Sequence, residues 1–496
     1  MKIRLALFFF LLSTIYKTNS QNQINNWFFG DSLMMHFEGG SITANQIDAP
    51  NLLPIQEASA SISDADGNLL FYTDGKNVWN RNNDLMPNGC CLDIYLYWDL
   101  ASSVSQGVII IPTPGNENEY HIFILSENGC SFSKVDMTLN GGYGDIIIKN
   151  ETLINNDFTE QMHAVKHANG RDWWVLIHQQ RNDPDSSALF YKILLMPDTI
   201  IISTQEAGIK REGNHQGQMV FSPDGKRLAY ADKNGLEIFD FDRCSGELTQ
   251  TYFIPITDIA EDNLYGCAFS TDGNKLYLST QGLSEYSQIL QYCFNCNNPF
   301  EETKKMLYEV VAEFDFFREY VIGQIQNGPD DKIYFTICYG IPTYQIFTDY
   351  TMNLSSINYP NLEGNLCHID TSVIWLGERR AIAGLPNFPN YNLGAMAGSE
   401  CDTIIEVAID NIEIQKVAVN IYPNPANNFI IIDSHFTEYS GISLEIINMN
   451  GIKVKEIYIT SPSQKINTDK LSSGLYNLII KQQGNNLFNT KLTILH

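Results

Sequence analysis

A short unit recurs along most of this chain, and no other sequence feature limits the fold so tightly. Each copy joins a small or apolar run to an aromatic-rich run through a turn built on Asp or Asn with Gly. The clear copies are SISDADGNLLFYT from Ser61, VKHANGRDWWVLIH from Val165, FSPDGKRLAYA from Phe221, FSTDGNKLYLST from Phe269 and NGPDDKIYFTI from Asn327. A weaker one, IIIPTPGNENEYHIFIL, starts at Ile109. The turn markers Asp66, Asn116, Asn169, Asp224, Asp272 and Asp330 are separated by 50, 53, 55, 48 and 58 residues. Asp-Gly and Asn-Gly tolerate the positive φ that tight hairpins need. A third strand follows the hairpin, as in GLEIFDFD from Gly235 and SQILQYCF from Ser287. Units of about fifty residues with three or four strands are the size of propeller blades, which stack face to face around an axis. A parallel β-helix needs shorter repeats, and separate sandwiches need longer ones.

Six markers predict six blades and leave two segments over, NNWFFGDSLMMHF at 25–37 and the stretch 368–392. Together they build a seventh blade that closes the ring with strands from both ends of the chain. Closure removes exposed sheet edges, which otherwise template aggregation. The expected fold class is therefore all-β: a seven-bladed β-propeller over 21–394, a linker over 395–416, and a small Ig-like β-sandwich over 417–496. The last part is read from short strands such as NFIIIDS and ISLEIINMNG, separated by turn signals.

The first twenty residues have the parts of a secretory signal peptide. Lys2 and Arg4 precede an apolar core, Leu5 to Ile15, and Thr18 and Ser20 place small residues before a cleavage that leaves Gln21 first. That core is too short to span a bilayer, which takes roughly 18 residues or more. No later segment reaches spanning length.

Charge divides the chain in two. The whole carries −26, but 417–496 holds six Lys against five Asp or Glu. The acidic body argues against a nucleic-acid partner, because such affinity comes from basic residues displacing counterions. Ten cysteines are too few for a disulfide scaffold, although an exported chain can pair them. Cys293 and Cys296 read as a local disulfide or two buried thiols, since no second pair follows at zinc-ribbon spacing.

The last eighty residues resemble the type A C-terminal sorting domain of the type IX secretion system. Tyr422-Pro423-Asn424-Pro425-Ala426, Asn450-Gly451, Leu471-Ser472-Ser473-Gly474-Leu475-Tyr476 and Lys491 carry the resemblance. It implies a sorting signal at Pro423, Asn424, Pro425, Gly451, Gly474, Leu475, Tyr476 and Lys491, with the type IX machinery as a partner. It also implies a secreted or outer-surface location, with possible attachment to surface lipopolysaccharide. The body looks like a propeller family that often accompanies this tag. Asn26-Trp27-Phe28-Phe29-Gly30, the run Ser63 to Gly75, Lys166 to Trp174, Gly217-Gln218-Met219 and Gly384-Leu385-Pro386-Asn387-Phe388 carry that likeness. It implies no activity.

Catalytic motifs are absent: there is no HExxH, no GxSxG elbow and no GxxxxGK[ST] loop. His163 and His167, four apart on a strand, would lie about 13 Å from each other at ~3.3 Å per residue, too far to share a metal. Asp64 to Asn68 alternates oxygen donors, yet a calcium loop needs Glu at its twelfth position, where Gly75 stands. No metal and no cofactor is expected. Ten residues before each marker stand Gln56, Gln106, Thr159, Asn214, Asp262 and Tyr320, all polar. With His163 and His215 they form the predicted ligand ring at the channel mouth. The expected function is binding or adhesion to a glycan or protein. A polysaccharide hydrolase or lyase is the alternative.

Overall fold

The computed structural model describes residues 21–496 apart from 95, 98–100, 127–128, 182–186, 212–215, 260–262, 282–285, 312–319, 341–344, 403–418, 435, 437–438, 449–452 and 483–484. The expected signal peptide, most of the expected linker, and Asn214, His215, Asp262 and Gly451 lie outside the described residues. Two compact units divide the chain, 1–404 and 405–496.

The first unit is a seven-bladed β-propeller. Five blades are four-stranded antiparallel sheets built in chain order, spanning 108–154, 158–211, 218–255, 263–311 and 320–375. A sixth, 60–80, has three strands. Their inner strands start at one face of the ring and end at the marker turns on the other. In those turns the Asp side chain bonds backbone: Asp64 Oδ1 accepts from the amides of Asp66 and Asn68, each at 2.9 Å. Asp272 likewise accepts from Asn274 N at 3.0 Å and from the Ser270 hydroxyl at 2.6 Å. The run at Asp64 is thus a hairpin turn.

The closing blade takes strands Asn26–Phe29, Leu33–Glu38 and Ser41–Gln46 from the N-terminal end. Its first strand runs antiparallel to the inner strand of the next blade. Ser61 Oγ donates to Asn26 O and Ser59 Oγ to Phe28 O. The strand therefore occupies the second position of a blade, and the first position falls to residues 381–391 from the other end of the chain. One part of the leftover C-terminal stretch behaves differently from expectation. Ile369–Trp375 is the outer strand of the preceding blade, paired with Asn353–Ile357. Trp27 and Phe37 pack on Tyr334 at 5.7 Å each, and Arg380 Nε meets Asp31 Oδ2 at 2.7 Å in a buried pair. These contacts shut the ring.

Segment 381–391 forms no regular ladder, because Pro386 and Pro389 have no N–H to contribute. It runs instead down the axis as a central thread. Gly384 N donates to Gln56 O, Asn387 N to Ser59 O, and Asn390 Nδ2 to Pro223 O. The approach is close enough to require glycine. A Cβ on Gly384 would stand 1.9 Å from Glu57 O, and one on Gly323 would stand 2.3 Å from Ala383 O. Beyond the thread, residues 395–402 stay on the propeller. Met396 N bonds Ala168 O, and Cys401 pairs with Cys244. Cys293 pairs with Cys296, and Cys90 with Cys91. Cys130, Cys267, Cys338 and Cys367 are buried thiols.

The second unit is a β-sandwich. Val419–Tyr422, Phe429–Ser434 and Ser463–Asn467 form one sheet; Lys453–Tyr458, Ile442–Asn448, Gly474–Gln482 and Asn485–Ile494 form the other. Alternate residues point inward, as a sheet with one solvated face requires. Ile430, Ile432, Leu444, Ile446, Leu478 and Ile480 make the core between them. The sorting-signal residues tie its ends together. Asn424 Oδ1 accepts from Thr493 N at 2.9 Å and its Nδ2 donates to Lys491 O at 2.8 Å. Tyr476, buried, donates to Ser472 O, while Lys491 is exposed.

Candidate functional site

The axis of the propeller offers two places where polar groups gather, one at each face. At the strand-start face the groups are spent on one another. Gln106 is buried, and its amide exchanges two bonds with Met219, from Met219 N to Oε1 at 2.7 Å and from Nε2 to Met219 O at 3.1 Å. Thr159 is buried with its hydroxyl against His178 O and Tyr230 Oη. Gln56 gives its carbonyl to the thread. Tyr320 sits in an aromatic group with Tyr350 at 5.3 Å and Tyr339 at 6.4 Å.

Sequence reading missed the strongest members of this network. Tyr265 donates to Glu57 Oε1 at 2.7 Å. Glu160 Oε2 accepts from the Ser105 amide at 3.1 Å and from the Ser105 hydroxyl at 2.9 Å. Burial pushes the Glu57 carboxyl above its ordinary range, and burial together with the Glu57 charge pushes the Tyr265 hydroxyl well above 10. Asn387 on the thread donates to Met162 O at 2.8 Å and Val108 O at 3.3 Å. These groups come from four blades and the thread, so no local motif could reveal them. A hollow of about 230 Å³ beside them is lined by Gln216, Lys233, Asn263, Leu264, Tyr265 and Gln281.

His163 does not join the residues predicted beside it. It lies near the far end of its strand, bordering a cavity of about 330 Å³ on the marker-turn face. Phe221, Phe269 and Phe388 supply aromatic walls, and Asn327, Asn390 and Asp331 supply polar ones. Among the described residues that line it, Asp331 is the sole acid, and there is no Lys or Arg. His163 Nε2 faces Phe388 O at 3.2 Å, so the ring proton sits on Nε2 and Nδ1 is a bare acceptor. Nδ1 is buried with no partner. Burial pushes the imidazole down to about 4, which keeps it neutral at pH 7. Burial and the neighbouring Asp330 charge raise the Asp331 carboxyl. His167 belongs to its own turn, accepting from Asn169 N at 3.1 Å. No group of three or more metal-ligating side chains occurs among the described residues.

Fold and contents define a class: a β-propeller body followed by a separate β-sandwich module. Residues 420–494 match the family described as the secretion system C-terminal sorting domain. The sandwich is thus a type IX sorting domain, and the chain is sent to the cell surface or released. No helix among the described residues is long and apolar enough to cross a membrane. No curated protein matches the chain. In fold it is similar to a candidate 6-phosphogluconolactonase from Bacteroides uniformis, at 15% identity over 74% of this chain and 98% of that one, TM-score 0.43. It is also similar to PorZ, a surface component of the type IX system of Porphyromonas gingivalis, at 12% identity over 95% and 80%, TM-score 0.26. The Cps50 (Swd1) β-propeller domain of Myceliophteria thermophila aligns at 12% identity over 64% and 93%, TM-score 0.34.

Proposed function

We propose that this exported propeller is a binding module that holds a glycan or protein ligand at its marker-turn face without transforming it. The observation that carries this reading is the cavity beside His163, large enough for a small ligand group and lined by aromatic and amide side chains. Of the alternatives, a polysaccharide hydrolase asks for two carboxylates flanking the scissile bond at about 5–9.5 Å. The described residues of the cavity lining include one, Asp331. Glu57 and Glu160 lie toward the other end of the axis, bonded to Tyr265 and Ser105. Attachment of the propeller to surface lipopolysaccharide belongs to the same proposal, since a binding module acts where it is anchored.

The test is a glycan and peptide array probed with the full chain, followed by analysis of the retained ligand for new reducing ends. Retention of an intact ligand is the expected result. New reducing ends would favour the hydrolase or lyase.

A further inference from the structure

Two acceptors mark the turn-face cavity, His163 and Asp331. His163 Nδ1 is a buried lone pair with nothing to receive. Asp331 brings a carboxylate. The Asn327 amide nitrogen is already used on Phe269 O at 2.9 Å, and that of Asn390 on Pro223 O at 2.9 Å. A ligand that meets these two acceptors must bring donors. The walls add a second demand. Phe221 stands 5.9 Å from the His163 ring, and Phe388 and Phe269 border the same space, so one side of the ligand must be apolar. With no Lys or Arg among the described lining residues, nothing there would compensate a phosphate, sulfate or uronate.

We propose that the cavity takes one neutral sugar residue of a glycan, with its C–H face on the phenylalanine walls and two hydroxyls donating to His163 Nδ1 and the Asp331 carboxylate. A pyranose is the common chemical unit that presents a ring of hydroxyl donors around an apolar face, and the volume of about 330 Å³ admits a single such ring. An imidazole held neutral can accept a hydroxyl proton at any ordinary pH, whereas a protonated one could not. This proposal rests on the binding reading above and adds the ligand class to it.

The test uses the full chain and two kinds of probe: neutral methyl glycosides of glucose, galactose, mannose and N-acetylglucosamine, and the cationic lysine methylamide. Saturation-transfer NMR reads contact, and titration reads affinity. At least one glycoside should bind with Kd below about 10 mM, with the strongest saturation on the C–H protons of one ring face. His163→Phe and Asp331→Asn should each weaken it about fivefold or more, the loss expected for one hydrogen bond. Asn suits the positive φ of 63° at Asp331, so that variant should keep the parent's thermal midpoint. Glycosides that stay silent, or that bind both variants as well as the parent, would overturn the proposal. If they are silent while lysine methylamide binds and is lost in Asp331→Asn, the sugar class falls and the binding site stands. If neither probe binds, both fall.

Discussion

Asn387 shows how much one side chain can hold when it sits on an axis. Its amide nitrogen serves the carbonyls of Met162 and Val108, on two different blades, and its oxygen faces Gln106 Nε2 at 3.4 Å. Asn387→Leu keeps the volume and orphans those groups. It should cost about 2–3 kcal/mol, read as a lower urea midpoint at unchanged slope. Glu57 makes the opposite case. Burial raises its carboxyl above the ordinary 4.5, so the folded protein holds that proton more tightly than the unfolded chain does. Its contribution to stability is greatest below the unfolded pKa and declines as pH climbs through the folded one. Glu57→Gln, which still accepts from Tyr265, should be more stable than the parent at pH 7, and the gap should close as pH falls toward 4. Thermal midpoints at several pH values check this; a gap that widens on acidification would contradict it. At this scale the sequence was partly legible. Gln106 and Thr159 were singled out because they are polar and precede inner strands, but the same polarity serves an open mouth and a filled axis equally. What fills the axis comes from 281 residues further along in the case of Gln106 and Asn387.

Among elements, the blades were legible and the thread was not. The hairpin rhythm marks every blade whose first two strands are consecutive in the chain. The closing blade has its first position at 381–391 and its second at Asn26–Phe29, so it has no marker turn. That is why six markers accompany seven blades. Ile382, Leu385 and Phe388 have the apolar content of a strand, while Pro386 and Pro389 were the signal that the segment would not ladder. Between neighbouring blades the most exacting contact is an ion cluster. Arg211 Nε bonds Asp232 Oδ2 at 2.6 Å, its Nη2 pairs with Glu237, and its guanidinium lies 4.1 Å over the Tyr230 ring. All three charged residues are buried. Arg211→Met leaves two carboxylates facing each other without a cation. It should cost about 3–5 kcal/mol, with the earliest gain in hydrogen exchange along Ile200–Arg211 and Gly235–Phe241.

Taken whole, the molecule joins a ring that closes on itself to a module that carries the address. The step in charge at Val417 and the strings around Asn424 and Gly474 made the address legible, because each string is short and its residues are neighbours in the chain. A ligand site on a propeller is assembled from several blades, so its members are separated by roughly the fifty-residue repeat and leave no string to recognise. His163, Phe221, Asp331 and Phe388 meet at one cavity only because the ring brings them round. The two units divide the labour of binding and export, and export by the producing bacterium tests that division directly. A chain lacking 405–496 should remain behind the outer membrane while its propeller keeps the protease resistance of the parent. Recovery of the shortened chain at the cell surface or in the medium, at parental levels, would contradict it.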